Sequence, residues 1–282
     1  MKSTPERTLQ GKTLFVTGAS RGIGLAIARR AALDGANIVL LAKTTVPNPK
    51  LPGTLYSAAG EIKAAGGQAL PVPCDIRDDA AVAAAVDAAT QRFGGIDILV
   101  NNASAISLTA TPATPMKRFD LMFGVNVRGT YACTQACLGE LIKSAQAGRN
   151  PHILNMSPPL SLQPHWFAAH VAYTMAKYGM SMCTLGHCAE FKQYGIGVNS
   201  LWPRTAIATA ALRLIPGIDP LKCRKPEILS DAAWLILTSD ASTTSGNFFI
   251  DDTLLAEHGE TDFERYAVTP GTKDLVPDFF VD

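Results

Sequence analysis

The sequence predicts an α/β fold: a doubly wound, seven-stranded, mostly parallel sheet with helices on both faces, in one domain spanning residues 1–282. Three observations predict it. Short β-branched or apolar runs alternate with longer Ala-rich stretches of helical spacing, the pattern of a parallel sheet with crossover helices. The first run is followed at once by a glycine-rich turn. No internal repeat and no low-complexity linker interrupts the alternation.

The strand candidates are TLFVT (13–17), NIVLLA (37–42), ALPVPC (69–74), IDILVN (96–101), HILNMS (152–157), IGVNSLW (196–202) and NFFI (247–250). Between them the helical candidates run from Gly24 to Gly35, Asp79 to Phe93, Phe119 to Ala147, Val171 to Tyr194 and Lys225 to Thr238. Right-handed crossovers then place the ligand crevice at the carboxyl ends of the strands. Two stretches break the rhythm. Residues 44–53, TTVPNPKLPG, are too rich in proline for regular helix or strand. Residues 251–282 carry Phe263, Tyr266, Phe279 and Phe280, so this extension is expected to pack on the body or on a partner subunit.

Composition narrows the function. Hydrophobic residues are 47% and charged residues 17%, enough for a large core. A net charge of +1 gives no reason to expect nucleic acid or an anionic membrane as partner. None of the six cysteines forms a C-x-x-C pair; they read as reduced core thiols, and no metal is expected. No apolar run approaches the roughly 20 residues that span a bilayer, and MKSTPERTLQGK lacks the apolar stretch of a signal peptide. A soluble cytoplasmic protein is the expectation.

TLFVTGASRGIG places Gly18, Gly22 and Gly24 between a strand and a helix, in the spacing T-G-x-x-x-G-x-G. Glycines there let the backbone turn sharply and approach a pyrophosphate. The free N–H groups at the helix start, with Ser20, Arg21 and Ile23 around them, then face the phosphates. The second strand ends Ala42-Lys43 with no carboxylate, where an NAD enzyme usually has one for the ribose hydroxyls. A cation suits the 2′-phosphate of NADP instead, and Arg21 sits on the same side. The competing reading makes Arg21 and Lys43 solvated charges. Asn101 and Asn102 fit either a strand-end turn or a cofactor wall. Tyr173 and Lys177 stand four apart, one turn along one helix face. A nearby ammonium lowers a phenol's pKa, which makes such a pair a candidate for proton transfer.

In combination these motifs resemble the short-chain dehydrogenase/reductase family from about residue 11 to about 250, with finer detail of the hydroxysteroid dehydrogenase-like protein 2 branch. The finer pointers are GANIVLLAKT, FGGIDILVNNASAISLT, HILNMSPPLSL, AKYGMSM and the PDFF ending. The resemblance implies a Rossmann fold, NADP(H) as cofactor and a homodimer or homotetramer built on the helices 119–147 and 171–194. It implies that Asp75 contacts the adenine amino group, that Asn102, Ala103 and Pro203 line the cofactor, and that Lys177 also grips the nicotinamide ribose. By the same resemblance Asn126 holds a water in a proton relay to the lysine. Tyr173 gives its proton to a substrate carbonyl as hydride leaves the cofactor.

Three departures mark the chain. The family's carbonyl-polarising serine falls on Pro158, which has no hydroxyl, so the role passes to Ser157 or, beyond the stiff Pro-Pro, to Ser161. Trp202-Pro203-Arg204 stands where Pro-Gly is usual, and NNAS replaces N-N-A-G. Trp166, Phe167, Trp202, Ile207 and Leu212 fall in loops that the resemblance places over the substrate, and an apolar roof there suits a lipophilic carbonyl or alcohol. Two other readings share the cofactor site: an enoyl-CoA double-bond reductase, and a non-catalytic NADP(H)-binding sensor or scaffold.

Overall fold

Seven strands, each short and buried or half-buried, form the centre of the computed structural model, which describes residues 7–48, 51–215 and 217–281 (Arg213 and Leu214 by backbone only). They are β1 (Thr13–Thr17), β2 (Asn37–Ala42), β3 (Gln68–Pro73), β4 (Ile98–Asn101), β5 (His152–Asn155), β6 (Gly197–Trp202) and β7 (Phe248–Ile250). All pairings are parallel, in the order β3-β2-β1-β4-β5-β6-β7. The order reverses between β1 and β4, which opens a crevice at their carboxyl ends.

Side chains alternate across the strands with period two. Leu14, Val16, Ile38 and Leu40 enter one buried layer with Ile27 of α1 (Gly22–Leu33) and Ile62 of α2 (Leu55–Ala64). Phe15, Val39, Leu41 and Ile153 enter the other layer. There they meet α3 (Asp79–Phe93) through Val82 and α5 (Gly129–Gln146) through Cys133, Cys137 and Leu141. Burying one such aliphatic side chain contributes roughly 1.5–3 kcal/mol, so the two layers together fix the sheet.

The expected strands are all present, with ends shifted by one or two residues. Three helices escaped the sequence reading: α2 and the shorter stretches His165–Ala168 and Asp251–Glu257. Thr54 accepts from the Ser57 backbone N–H and Ser57 Oγ accepts from that of Thr54, a reciprocal cap that starts α2 just after the proline-rich stretch. Of that stretch, residues 49–50 lie outside the described residues. The single helix expected over 119–147 is instead α4 (Met116–Met122), a π-helical segment Phe123–Arg128, and α5. After the short α6 (His165–Ala168), α7 runs Val171–Phe191 and continues as a 3-10 turn through Tyr194. Gly179 on α7 lets it close on the π segment, since a Cβ there would lie 2.6 Å from Val127 Cγ2. The helices α8 (Glu227–Leu237) and α9 (Asp251–Glu257) follow.

Beyond α9 the chain returns across the carboxyl end of the sheet. Val276 O accepts from Ala206 N at 2.8 Å, Asp278 N donates to Arg204 O at 2.9 Å, and Trp202 Nε1 donates to Phe279 O at 2.8 Å. Phe280, at φ +73°, is buried among the rings of Trp166, Tyr178 and Trp202. Among the described residues no helix is long and apolar enough to cross a membrane. The six cysteines carry free thiols; Cys183 and Cys188 are only partly buried.

Candidate active site

The glycine loop sits where β1 hands over to α1, at the reversal of strand order. Gly18 and Gly22 have φ of +67° and +60°, a region that favours glycine. A Cβ on Gly18 would come within 2.8 Å of Ala103 Cα, and one on Gly24 within 2.4 Å of Asn102 Nδ2. Asn102 Nδ2 donates to the carbonyls of Thr17 and Gly18 at 2.9 and 3.1 Å, while Thr17 Oγ1 accepts from the backbone of Asn102 and Ala103. Asn102 therefore shapes the loop from beneath. Asn101 lies deeper, donating to Asn155 and Thr134 at 2.9 and 3.2 Å. The α1 terminus has no side-chain cap and no acidic residue in its first turn, which leaves its N–H groups and positive dipole end for an anion. Arg21 Nη2 donates to Gly53 O at 2.8 Å, but its Nε is buried with no hydrogen-bond partner. Ser20 is buried beside it. A bare helix terminus, glycines that any Cβ would obstruct and an orphaned guanidinium nitrogen fit a dinucleotide's phosphates.

Lys43 follows β2 directly. Its Nζ lies 3.5 Å from Asp75 Oδ2, and the side chain is 59% exposed, so the pair holds it weakly. Asp75 is gripped more firmly by Arg77, whose Nε lies 3.0 Å from Oδ1 and whose Nη2 lies 2.5 Å from Oδ2. These bonds hold the Asp75 carboxyl well below the ordinary carboxylate range. Arg77, two residues past Asp75, escaped the sequence reading although it adds a cation to this corner.

Tyr173 and Lys177 face one cavity of about 190 Å³ from α7, together with Ile23, Asn102, Met156, Trp202 and Pro203. Lys177 Nζ donates to Met156 O at 3.0 Å and stands 4.9 Å over the Trp202 ring. Burial lowers its pKa to about 8. The phenol behaves otherwise than spacing predicts. Burial first, and the Asp278 carboxyl second, push the Tyr173 hydroxyl far above its ordinary range, and the ammonium does not offset them.

Asn126 lies in the π-helical segment and is fully buried. Its Oδ1 accepts from Ala105 N at 2.7 Å and its Nδ2 donates to Ala105 O at 3.0 Å. Both ends of the amide thus fix the segment that carries Ser104 and Ile106 into the cavity wall. A wide turn at such a place is typical of functional sites.

Ser157 does not reach the cavity. It is fully buried and shares a 2.8 Å hydrogen bond with Ser200 Oγ, so β6 takes up the hydroxyl that the sequence reading assigns to a carbonyl. Ser161 accepts from Gln163 N within its own loop at 3.3 Å. Of the expected roof, Trp202, Ile207 and Leu212 line the cavity, while Trp166 and Phe167 pack with Phe280 and Tyr178 instead. Ser104, marked in the sequence as a departure, lines the cavity, whereas the polar lining residues Thr209 and Asp278 escaped the sequence reading. Among the described residues no group of three or more metal-ligating side chains occurs.

A glycine cradle at a strand-order reversal, opening on a cavity with a tyrosine and lysine one turn apart, is the arrangement of a dinucleotide-dependent oxidoreductase. The chain matches the short chain dehydrogenase model over residues 12–214 and belongs to that family of nicotinamide-dependent oxidoreductases. It is 58% identical to hydroxysteroid dehydrogenase-like protein 2 of Danio rerio over 97% of its own length, and spans 65% of that relative. It also matches a crystal structure of a dehydrogenase from Xanthomonas campestris, itself assigned provisionally. That match has 57% identity and a TM-score of 0.94, covering 98% of this chain and 99% of that one. A metagenomic short-chain oxidoreductase in complex with NADP is 27% identical with a TM-score of 0.70, over 86% of this chain and 97% of that one.

Proposed function

We propose that the chain is an NADP(H)-dependent oxidoreductase that interconverts an alcohol and a carbonyl on a lipophilic substrate, with Tyr173 giving and taking the proton. The observation that carries the reading is the shared cavity. Tyr173 and Lys177 line it, Ile23 and Asn102 join it to the glycine loop, and the remaining wall is mostly apolar. Bound NADP(H) would supply or accept the hydride.

Gly18, Ser20, Gly22 and Gly24 would hold the phosphates, and Asp75, Ala103 and Pro203 the adenosine and nicotinamide ends. NADP over NAD is supported by Lys43, half-free at the end of β2, by Arg21 with its orphaned Nε, and by a β2 end, Leu41-Ala42-Lys43, that carries no carboxylate of its own. Lys177 would grip the ribose and favour the phenolate when Tyr173 gives up its proton. Asn126 would secure the wall at Ala105. Ser157, held by Ser200, takes no part in polarising the substrate. Wall residues Ile207, Leu212 and Trp202 favour a lipophilic substrate, as do relatives whose name refers to hydroxysteroids. Exposed Tyr131 on α5 and Met182 and Leu185 on α7 support a homodimer or homotetramer through those helices.

The test is NADPH and NADH consumption across aldehydes, ketones and enoyl-CoAs by the chain and by Tyr173→Phe. Carbonyl reduction with NADPH preferred, and lost in the variant, is the expected result. Near-normal turnover by Tyr173→Phe would overturn the assignment; turnover of enoyl-CoAs alone would transfer the site to double-bond reduction. Binding of NADPH without turnover of any of them would leave a sensor or scaffold.

A further inference from the structure

The cavity has a wall that the Tyr-Lys pair does not explain. Pro277, Asp278 and Phe279 line it, although they lie some hundred residues beyond Lys177 in the chain. Their position is fixed by backbone. Asp278 N donates to Arg204 O, Val276 O accepts from Ala206 N, and Trp202 Nε1 donates to Phe279 O. Phe280 anchors the end among aromatic rings. This strap therefore delivers one carboxyl to a cavity whose wall is mostly apolar, with Met156, Ile207, Leu212 and Ile218, and whose other ionisable groups are Tyr173 and Lys177. Asp278 Oδ1 accepts from Phe279 N at 2.7 Å, and no cation forms an ion pair with it among the described residues.

We propose that Asp278 is the specificity-determining residue of this cavity, a charge filter that admits neutral or cationic chain ends and refuses carboxylates. This deepens the reading above and rests on it in one respect only, that this cavity is the substrate site. An incoming carboxylate would bring a second negative charge beside Asp278 in a mostly apolar space, and like charges brought together out of water repel strongly. Lys177 stands in the same cavity, but its charge is already set against the Asp278 carboxyl, so the pair leaves no net positive charge for a third group. An alcohol or ammonium donates to the same carboxyl. Refusal of a wrong charge by a built-in repulsive group is a common source of specificity.

The filter is also set by pH. The charged and titratable groups around Asp278 are Lys177 and Tyr173 on α7, Asp251 on α9 and Cys223 in the loop before α8. Burial raises the Asp278 carboxyl to about 7, and Asp251 adds to the rise while Lys177 opposes it. Below that pH the carboxyl takes up a proton and the repulsion disappears.

The experiment is calorimetric titration of the NADPH-loaded chain with dodecanol, dodecylamine and dodecanoate, below their aggregation limits, at about pH 8 and about pH 6. At the higher pH dodecanol and dodecylamine should bind roughly tenfold or more tightly than dodecanoate. At the lower pH dodecanoate should gain affinity. Asp278→Asn should abolish the discrimination at the higher pH, and Asp278→Glu should retain it. Equal binding of dodecanoate and dodecanol at the higher pH overturns the filter, as does an unchanged ratio in Asp278→Asn. Failure of all three probes to bind overturns it too. Because these are binding readouts, each result is separate from the Tyr173→Phe turnover test. Should Asp278→Asn not bind NADPH, the same comparison in Asp278→Ser decides.

Discussion

The two ends of the sheet treat buried charge in opposite ways. At the amino end, Asp97 accepts from Arg149 Nε and Nη2 at 2.7 Å each, from Ser144 Oγ at 2.7 Å and from Thr13 N at 2.8 Å. These bonds hold its carboxyl below the ordinary range although burial alone would raise it. At the carboxyl end, Tyr173, Lys177 and Asp278 face one cavity, and burial drives each toward its neutral form. Satisfied charge at one end ties strands to helices. Poorly satisfied charge at the other is available for proton exchange, and strongly shifted groups in a cleft are the usual mark of a working site. The chain accepts a stability cost where the chemistry is and avoids it at Asp97.

The sharpest way to break this comparison is to remove one group from each end. Lys177→Met should lower turnover by roughly 10²-fold or more, the scale of lost acid–base assistance, yet leave the denaturation midpoint unchanged or higher, because a costly buried ammonium is gone. Asp97→Ala should do the reverse. It should cost roughly 2–4 kcal/mol in urea unfolding by orphaning Thr13 N, Ser144 and Arg149, with turnover per folded molecule nearly unchanged. If Lys177→Met destabilises as much as Asp97→Ala, the division between the two ends is wrong. A smaller effect belongs to the adenosine corner: Lys43→Ala should weaken NADPH by about tenfold, the worth of one charge-assisted contact, and leave NADH within error. Equal losses for both cofactors in fluorescence titration would remove Lys43 from phosphate binding.

A further effect is in the pH dependence of stability. His152, buried at the amino end of β5 against Ser239 O, is pushed down to about 4 by burial. The unfolded chain then binds more protons than the folded one between pH 6.5 and 4, so this histidine lowers stability as pH falls through that window. Asp278, raised from 3.8 to about 7, has the opposite sign: the folded chain binds more protons, and stability falls as pH rises through that window. Thermal midpoints of His152→Asn and Asp278→Asn, each compared with the parent chain, should therefore diverge with slopes of opposite sign. Parallel slopes would contradict the assignment.

Much of this was legible in the residues. The strands announced themselves by apolar runs, and the glycine loop by residues that only a tight turn beside a phosphate requires. Tyr173 and Lys177 were readable because both partners lie on one helix, where spacing translates directly into facing. What stayed hidden depends on distance along the chain. Nothing local to Asp278 distinguishes it from Asp274 or Asp262; only the returning strap gives it a cavity. Ser157 looked available until β6 placed Ser200 against it. The π-helical turn at Asn126 was hidden for another reason, since the residues of Phe123–Arg128 also suit an ordinary helix and a wider turn leaves no mark in residue type.

That wider turn has a consequence for chain length as distinct from chain chemistry. From Met116 to Gln146 the backbone coils almost without a break, yet the segment Phe123–Arg128 sets the two halves out of phase. One residue corresponds to about 100° of rotation in an ordinary helix. Deleting any single residue there would swing α4 by that angle relative to α5 and separate Asn126 from Ala105, whichever amino acid was lost. The segment thus tolerates exchange of letters far better than a change in their number. Homologues built on the same wall should vary in composition here while keeping the count.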